Sequence, residues 1–182
     1  MPIKAFTLCL GRCCRTCRAV GDPHYRTFYG RNHDFYGRGL YEHARFTIEP
    51  CGCEVVIQTL LVKLTRGWPA NSAIAGTVVR VGDTTFEITG GGDVTVRRPG
   101  LQDEHLVAAS SSSSRTYGEC TLEREQHGNS WGWRLHLPAG AGNYLVMPRS
   151  TTGRRAGMPQ GFLYNVWLTV SQSVLASGHP SG

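Results

Sequence analysis

The segment IAGTVVRVGDTTFEI, residues 74–88, decides the fold class. Two runs rich in β-branched and aromatic side chains flank Gly82-Asp83. A two-residue connection between such runs signals a hairpin, because glycine accepts the positive φ of a tight turn. The pattern repeats outward. EVVIQTLLVKL (54–64) lies between Pro50 and Gly67-Trp68-Pro69 and reads as a well-buried strand. LYEHARFTI (40–48) places Leu40, Ala44, Phe46 and Ile48 on one face, interrupted by Glu42. Downstream, GGGD (90–93) leads into VTVRR (94–98), and ECTLEREQ (119–126) turns at HGNS into WGWRLHLP (131–138). In that second hairpin Trp131, Trp133, Leu135 and Leu137 alternate with Gly132, Arg134 and His136, which reads as a core face rather than a carbohydrate-stacking surface. NYLVM (143–147) and FLYNVWLTV (162–170) add two strands, with a loop over 148–161. Five consecutive serines, 110–114, read as an exposed loop. The sum is an all-β domain, a twisted antiparallel sandwich of about eight to ten strands.

The 182 residues carry 40% hydrophobic and 18% charged side chains, enough to build one real core and too little charge for disorder. A net charge of +6 favours acidic partners, acidic glycans among them. The basic residues are dispersed, with only Arg97-Arg98 and Arg154-Arg155 adjacent within the body of the chain, so no nucleic-acid patch is expected. No apolar run approaches the length of a membrane span, and there is no Asn-x-Ser/Thr sequon.

Seven cysteines occur: Cys9, Cys13, Cys14, Cys17, Cys51, Cys53 and Cys120. Disulfides would place the chain in an oxidising compartment, with at least one thiol left over or paired between chains. The amino end MPIKAFTLCLGRCC makes an unconvincing secretory leader, because Gly11 and Arg12 interrupt its short apolar run. Either the true start lies upstream or secretion follows another route. Alternatively, Cys14-x-x-Cys17 and Cys51-x-Cys53 supply four thiolates for a zinc module that binds nucleic acid or another polyanion.

Asp22, His24, His33 and Asp34 are the residues best suited to metal or acid–base chemistry. Asp22 precedes Pro23, however, and its carboxylate is suited to bonding turn amides, so the preferred reading is structural. A hydrolase using His24 and Asp34 is the weaker alternative. There is no G-x-S-x-G elbow, and TGGGD (89–93) lacks the lysine and helix of a phosphate loop, so no enzyme is expected.

The run CRAVGDPHYRTFYG (17–30), followed by Asp34-Phe35-Tyr36-Gly37 and Tyr41, resembles the start of a von Willebrand factor type D domain. The match rests on Cys17, Gly21, Asp22, Pro23, His24, Tyr25, Thr27, Phe28, Gly30, Asp34, Phe35, Gly37 and Tyr41. The resemblance implies an extracellular β-sandwich module over 17–172, after a cysteine-rich basic lead-in (1–16) and before a disordered tail (173–182). It also implies a structural or adhesive role with extracellular or matrix proteins as partners. Such domains commonly bind calcium through an aspartate that is Tyr29 here, and through a late C-G-L-C-G-N loop absent from 138–182. A phenol is no hard-cation ligand, so no cofactor or metal site is carried over. A cysteine of the family falls at Gly39, and the usual partner of Cys17 lies in the missing loop. Cys17, Cys51, Cys53 and Cys120 are therefore the disulfide candidates.

Overall fold

The computed structural model describes residues 15–20, 24–28, 30–63, 72–108, 111–148, 163–171 and 174. In chain order the strands are β1 (Arg15–Val20), β2 (His24–Arg26), β3 (Asn32–Asp34), β4 (Gly39–Ile48), β5 (Cys53–Lys63), β6 (Ser72–Val81) and β7 (Thr84–Thr89). There follow β8 (Val94–Arg97), β9 (Glu104–Leu106), β10 (Ser113–Tyr117), β11 (Cys120–His127), β12 (Ser130–His136), β13 (Gly142–Pro148) and β14 (Leu163–Val170). A short 3-10 turn, Pro138–Gly140, links β12 to β13. Among the described residues no helix is long and apolar enough to cross a membrane.

The protein is an antiparallel β-sandwich. One sheet has eight strands in the order β10-β11-β12-β13-β14-β1-β2-β3, and the other is a six-stranded meander, β4 to β9. Among the described residues they touch through a single backbone pairing, Leu163 with Ile74. Side chains from the two inner faces fill the space between: Val55, Ile57, Ile74, Phe86 and Ile88 from one side, Leu122, Leu135, Tyr144, Val146 and Leu168 from the other, all fully buried. The Phe86 and Tyr117 rings meet edge to face across the gap, 5.6 Å between centroids.

The hairpin expected over 74–88 forms, with Val81 opposite Thr84 and Gly82 at φ +54. The hairpin at 127–130 forms too, and Trp133, Leu135 and Leu137 enter the core while Trp131 is half-buried. Fourteen strands exceed the eight to ten expected, chiefly because β1, β9 and β10 carry little hydropathy signal. In β1 the inward residues are Cys17 and Ala19, both small. β10 is an edge strand in which only Tyr117 is buried, so Ser113 and Ser114 belong to a strand rather than wholly to a loop. β1 starts inside the expected lead-in, and Val174, within the expected tail, is buried in the core. Residues 149–162, most of the expected late loop, lie outside the described residues.

The face assignment of 40–48 needs correction. A bulge between Glu42 and Ala44 shifts the register, so Leu40 pairs with Leu60 on the outside while Ala44, Phe46 and Ile48 face Ile57, Val55 and Cys53. Leu40 is 51% exposed. One extra residue inverts the alternation, because strand side chains have a period of two.

The close approach of β13 to β14 depends on Gly142. Its φ is +145, and a Cβ there would lie 2.1 Å from the Thr169 carbonyl oxygen. Gly142→Ala should lower the unfolding free energy by about 3 kcal/mol, since rigid backbone blocks the methyl group. Gly82→Ala, where nothing lies within 4 Å, should cost only about 1–2 kcal/mol from φ alone. Urea midpoints at unchanged m test this, and equal losses at the two sites would contradict it.

Candidate functional site

The segment that carries the resemblance folds into the β2–β3 hairpin and the start of β4. Thr27 holds the connecting loop: its N–H donates to the Arg31 carbonyl at 2.8 Å, and its Oγ1 accepts from the Arg31 N–H at 3.1 Å. Gly30 completes the turn at φ +78, and Phe28 is buried beneath it. Gly21, Asp22, Pro23 and Tyr29 lie outside the described residues.

The inward side of this hairpin meets the six-stranded sheet around a cavity of about 70 Å³ lined by Cys17, Tyr25, His33, Phe35, Tyr41, Glu42, His43 and Thr59, among others. Tyr25 is its hub. The ring stacks on His33 at 5.2 Å, meets Phe35 edge-on at 6.4 Å and tilts against His43 at 5.8 Å. Phe35 in turn meets Tyr41 edge to face at 4.8 Å. Gly37 fits between those two rings, where a Cβ would come within 2.6 Å of Phe35 and 2.7 Å of Tyr41. A side chain at the glycine of the D-F-x-G pattern would have to displace one of these two rings. Burial pushes the Tyr25 phenol up to about 12, against a hydrogen bond to Thr59 that lowers it.

Three polar groups at this cavity were not singled out from sequence: Glu42 as a buried carboxylate, His43 and Thr59. Glu42 Oε2 accepts from Arg45 Nη2 at 2.7 Å and Nε at 3.1 Å, which offsets the cost of burying its charge. His43 is the extra residue of the bulge, and its Nε2 lies 3.6 Å from Cys17 Sγ. The break in alternation at Glu42-His43 was the available sequence signal. A thiol beside an imidazole is the beginning of a nucleophilic pair, but among the described residues buried His43 Nδ1 has no hydrogen-bond partner to orient the ring as a base. Among the described residues no three His, Cys, Asp or Glu side chains converge as metal ligands.

Of the four candidates for chemistry, Asp22 lies outside the described residues, and the other three do not converge on one point. His24 Nδ1 donates to Asp34 Oδ1 at 2.6 Å across the β2–β3 pair. Both side chains are more than half exposed, and this bond foremost holds the Asp34 carboxyl below its ordinary value. His33 stacks on Tyr25 instead of joining them. An exposed His–Asp pair offers general-base geometry, with no nucleophile beside it among the described residues.

Cys51 and Cys53 form a disulfide. That bond removes both sulfurs from the proposed four-thiolate zinc set and from pairing with Cys17. Cys120 is buried as a thiol at the start of β11, and burial pushes it up to about 11. No family model matches the chain, and no curated protein matches it.

The buried phenols make stability fall at high pH. Tyrosine ionises near 10 in an unfolded chain, whereas burial raises both Tyr25 and the fully buried Tyr144 in the folded state. Their contribution is complete below pH 10 and is lost as pH rises through 10 toward 12, because only the unfolded chain releases the protons. Each retained proton should add a slope of about 1.4 kcal/mol per pH unit. Tyr25→Phe should remove about one such proton from the slope in urea unfolding series, and identical slopes for variant and parent would refute the assignment.

Proposed function

We propose that this chain is a non-catalytic extracellular module of the von Willebrand factor type D kind, with a structural or adhesive role in matrix or mucin-type assemblies. The observation that carries this reading is the use made of the resembling segment. Tyr25, Thr27, Phe28, Gly30, Phe35, Gly37 and Tyr41 are spent on a turn, a half-buried ring cluster packed on the core and a glycine wedged between rings. A motif devoted to packing supports a scaffold, and the exposed His24–Asp34 pair supports no reaction on its own. The Cys51–Cys53 disulfide supports an oxidising compartment. Partners are then extracellular or matrix proteins, and calcium is not part of the proposal.

Alkylation of the denatured, unreduced protein from its native source, followed by mass spectrometry, tests the location. Cys51 and Cys53 should resist alkylation until a reductant is added. Alkylation of all seven cysteines without reductant would sink the extracellular reading, and stoichiometric zinc in chelator-free protein would sink the module reading in favour of a metal-held one.

A further inference from the structure

The outer face of the eight-stranded sheet carries a feature that the packing of the sandwich does not use. A cross-strand row runs from Asn32 on β3 through Arg26 on β2, Arg18 on β1 and Trp167 on β14 to Leu145 on β13. An open groove of about 350 Å³ lies along it, lined by Arg15, Arg18, Arg26, Thr16 and Trp167, among others, with no acidic residue in its wall among the described residues. Arg15 is fixed there by donating from Nη1 to the Phe28 carbonyl at 3.1 Å.

Arg18 and Arg26 are directly opposed across the β1–β2 pair, an arrangement in which like charges destabilise a sheet. Neither has a carboxylate partner among the described residues. Elsewhere on the sandwich several strand arginines are neutralised, Arg45 and Arg80 by Glu54, Arg97 by Glu87 and Asp103, Arg115 by Glu104 and Arg134 by Glu125, while buried Arg124 lies over the Trp133 ring. The groove is where this pattern lapses, and an anion placed between the two guanidinium groups would relieve the repulsion. Guanidinium forks bind tetrahedral and planar oxyanions through paired N–H donors. Beside them, half-buried Trp167 lines the groove with its indole, an aromatic surface suited to the apolar face of a sugar ring. A half-buried ring does not project to insert between lipids. One indole is also no run of stacking platforms for successive bases.

We infer that this groove binds a sulfated glycan chain, with a sulfate held between Arg18 and Arg26 and an adjoining sugar ring on Trp167. The choice of a glycan rests on the extracellular reading above, whereas the preference for an oxyanion rests on the arginines alone.

Isothermal titration of the whole chain with a heparin-derived octasaccharide tests this. Arg18→Ala and Arg26→Ala should each weaken binding by about tenfold, Arg97→Ala on the other sheet by less than about twofold, and added salt should weaken the parent. The fully desulfated octasaccharide should give no binding. Arg18→Glu supplies the folding control: it places opposite charges across the pair, so it should abolish binding while leaving the melting temperature unchanged or raised. Equal binding by parent and Arg18→Glu would overturn the proposal. So would binding of single-stranded RNA or of phosphatidylserine vesicles as tight as that of the octasaccharide. Lost octasaccharide binding with an intact Cys51–Cys53 disulfide removes the groove and leaves the module. Arg18-dependent binding in a protein whose native cysteines are all reduced keeps the groove as an oxyanion site and removes the extracellular reading.

Discussion

Two tyrosine–threonine contacts set how one sheet sits on the other. Thr59 on β5 and Thr77 on β6 are direct cross-strand partners, both buried, at the centre of the six-stranded sheet. From the opposite sheet, Tyr144 reaches Thr77 at 3.0 Å and Tyr25 bonds Thr59. Thr77 Oγ1 already donates to the Gln58 carbonyl at 2.9 Å, so the Tyr144 hydroxyl must be the donor to Thr77. Burying a phenol without such a partner costs on the order of 1–3 kcal/mol. A slide of either sheet would leave two hydroxyl pairs unmet. Apolar packing alone tolerates such a slide, so these contacts give the sandwich its alignment. Trp133 adds a third tie, donating from Nε1 to the Gly92 carbonyl at 2.6 Å.

The rest of the hairpin segment follows from that alignment. With Tyr25 fixed against Thr59, the β2–β3 hairpin lies over β4, and the bulge of β4 turns His43 toward Tyr25 and Cys17. Residues that look like the makings of a site are thereby drawn into a packed ring cluster. His24 and Asp34 remain outside it at the exposed end of the hairpin. The segment's chemistry is spent on holding two sheets together.

Charge is distributed by the same logic. Acidic residues of β5, β7, β9 and β11 neutralise arginines on strands adjacent in the chain, while Arg18 on β1 and Arg26 on β2 have no carboxylate partner among the described residues. Among the described residues the strand arginines therefore divide into paired ones, such as Arg45, Arg97 and Arg134, and the opposed Arg18 and Arg26 along one groove. Composition cannot make that distinction, because pairing depends on which strands become neighbours.

Much of the architecture was written in local pattern. The hairpins at Gly82 and Gly128, the buried run of β5 and the alternation of Trp133, Leu135 and Leu137 are short-range consequences of turn chemistry and period-two hydropathy, and the sequence determined them. Strands β1, β9 and β10 were hidden, because small or polar side chains carry no alternation until a neighbour pairs with them. The bulge at His43 could be suspected but not placed, since one inserted residue reads the same as a polar interruption. The meeting of Tyr25 with Thr59, of Cys17 with His43, and of Arg18 with Arg26 and Trp167 belongs to the tertiary structure alone. These contacts join residues from strands that the chain does not make consecutive, or fix the face on which they lie. Only the closing of β14 against β1 and the stacking of the two sheets bring them within reach.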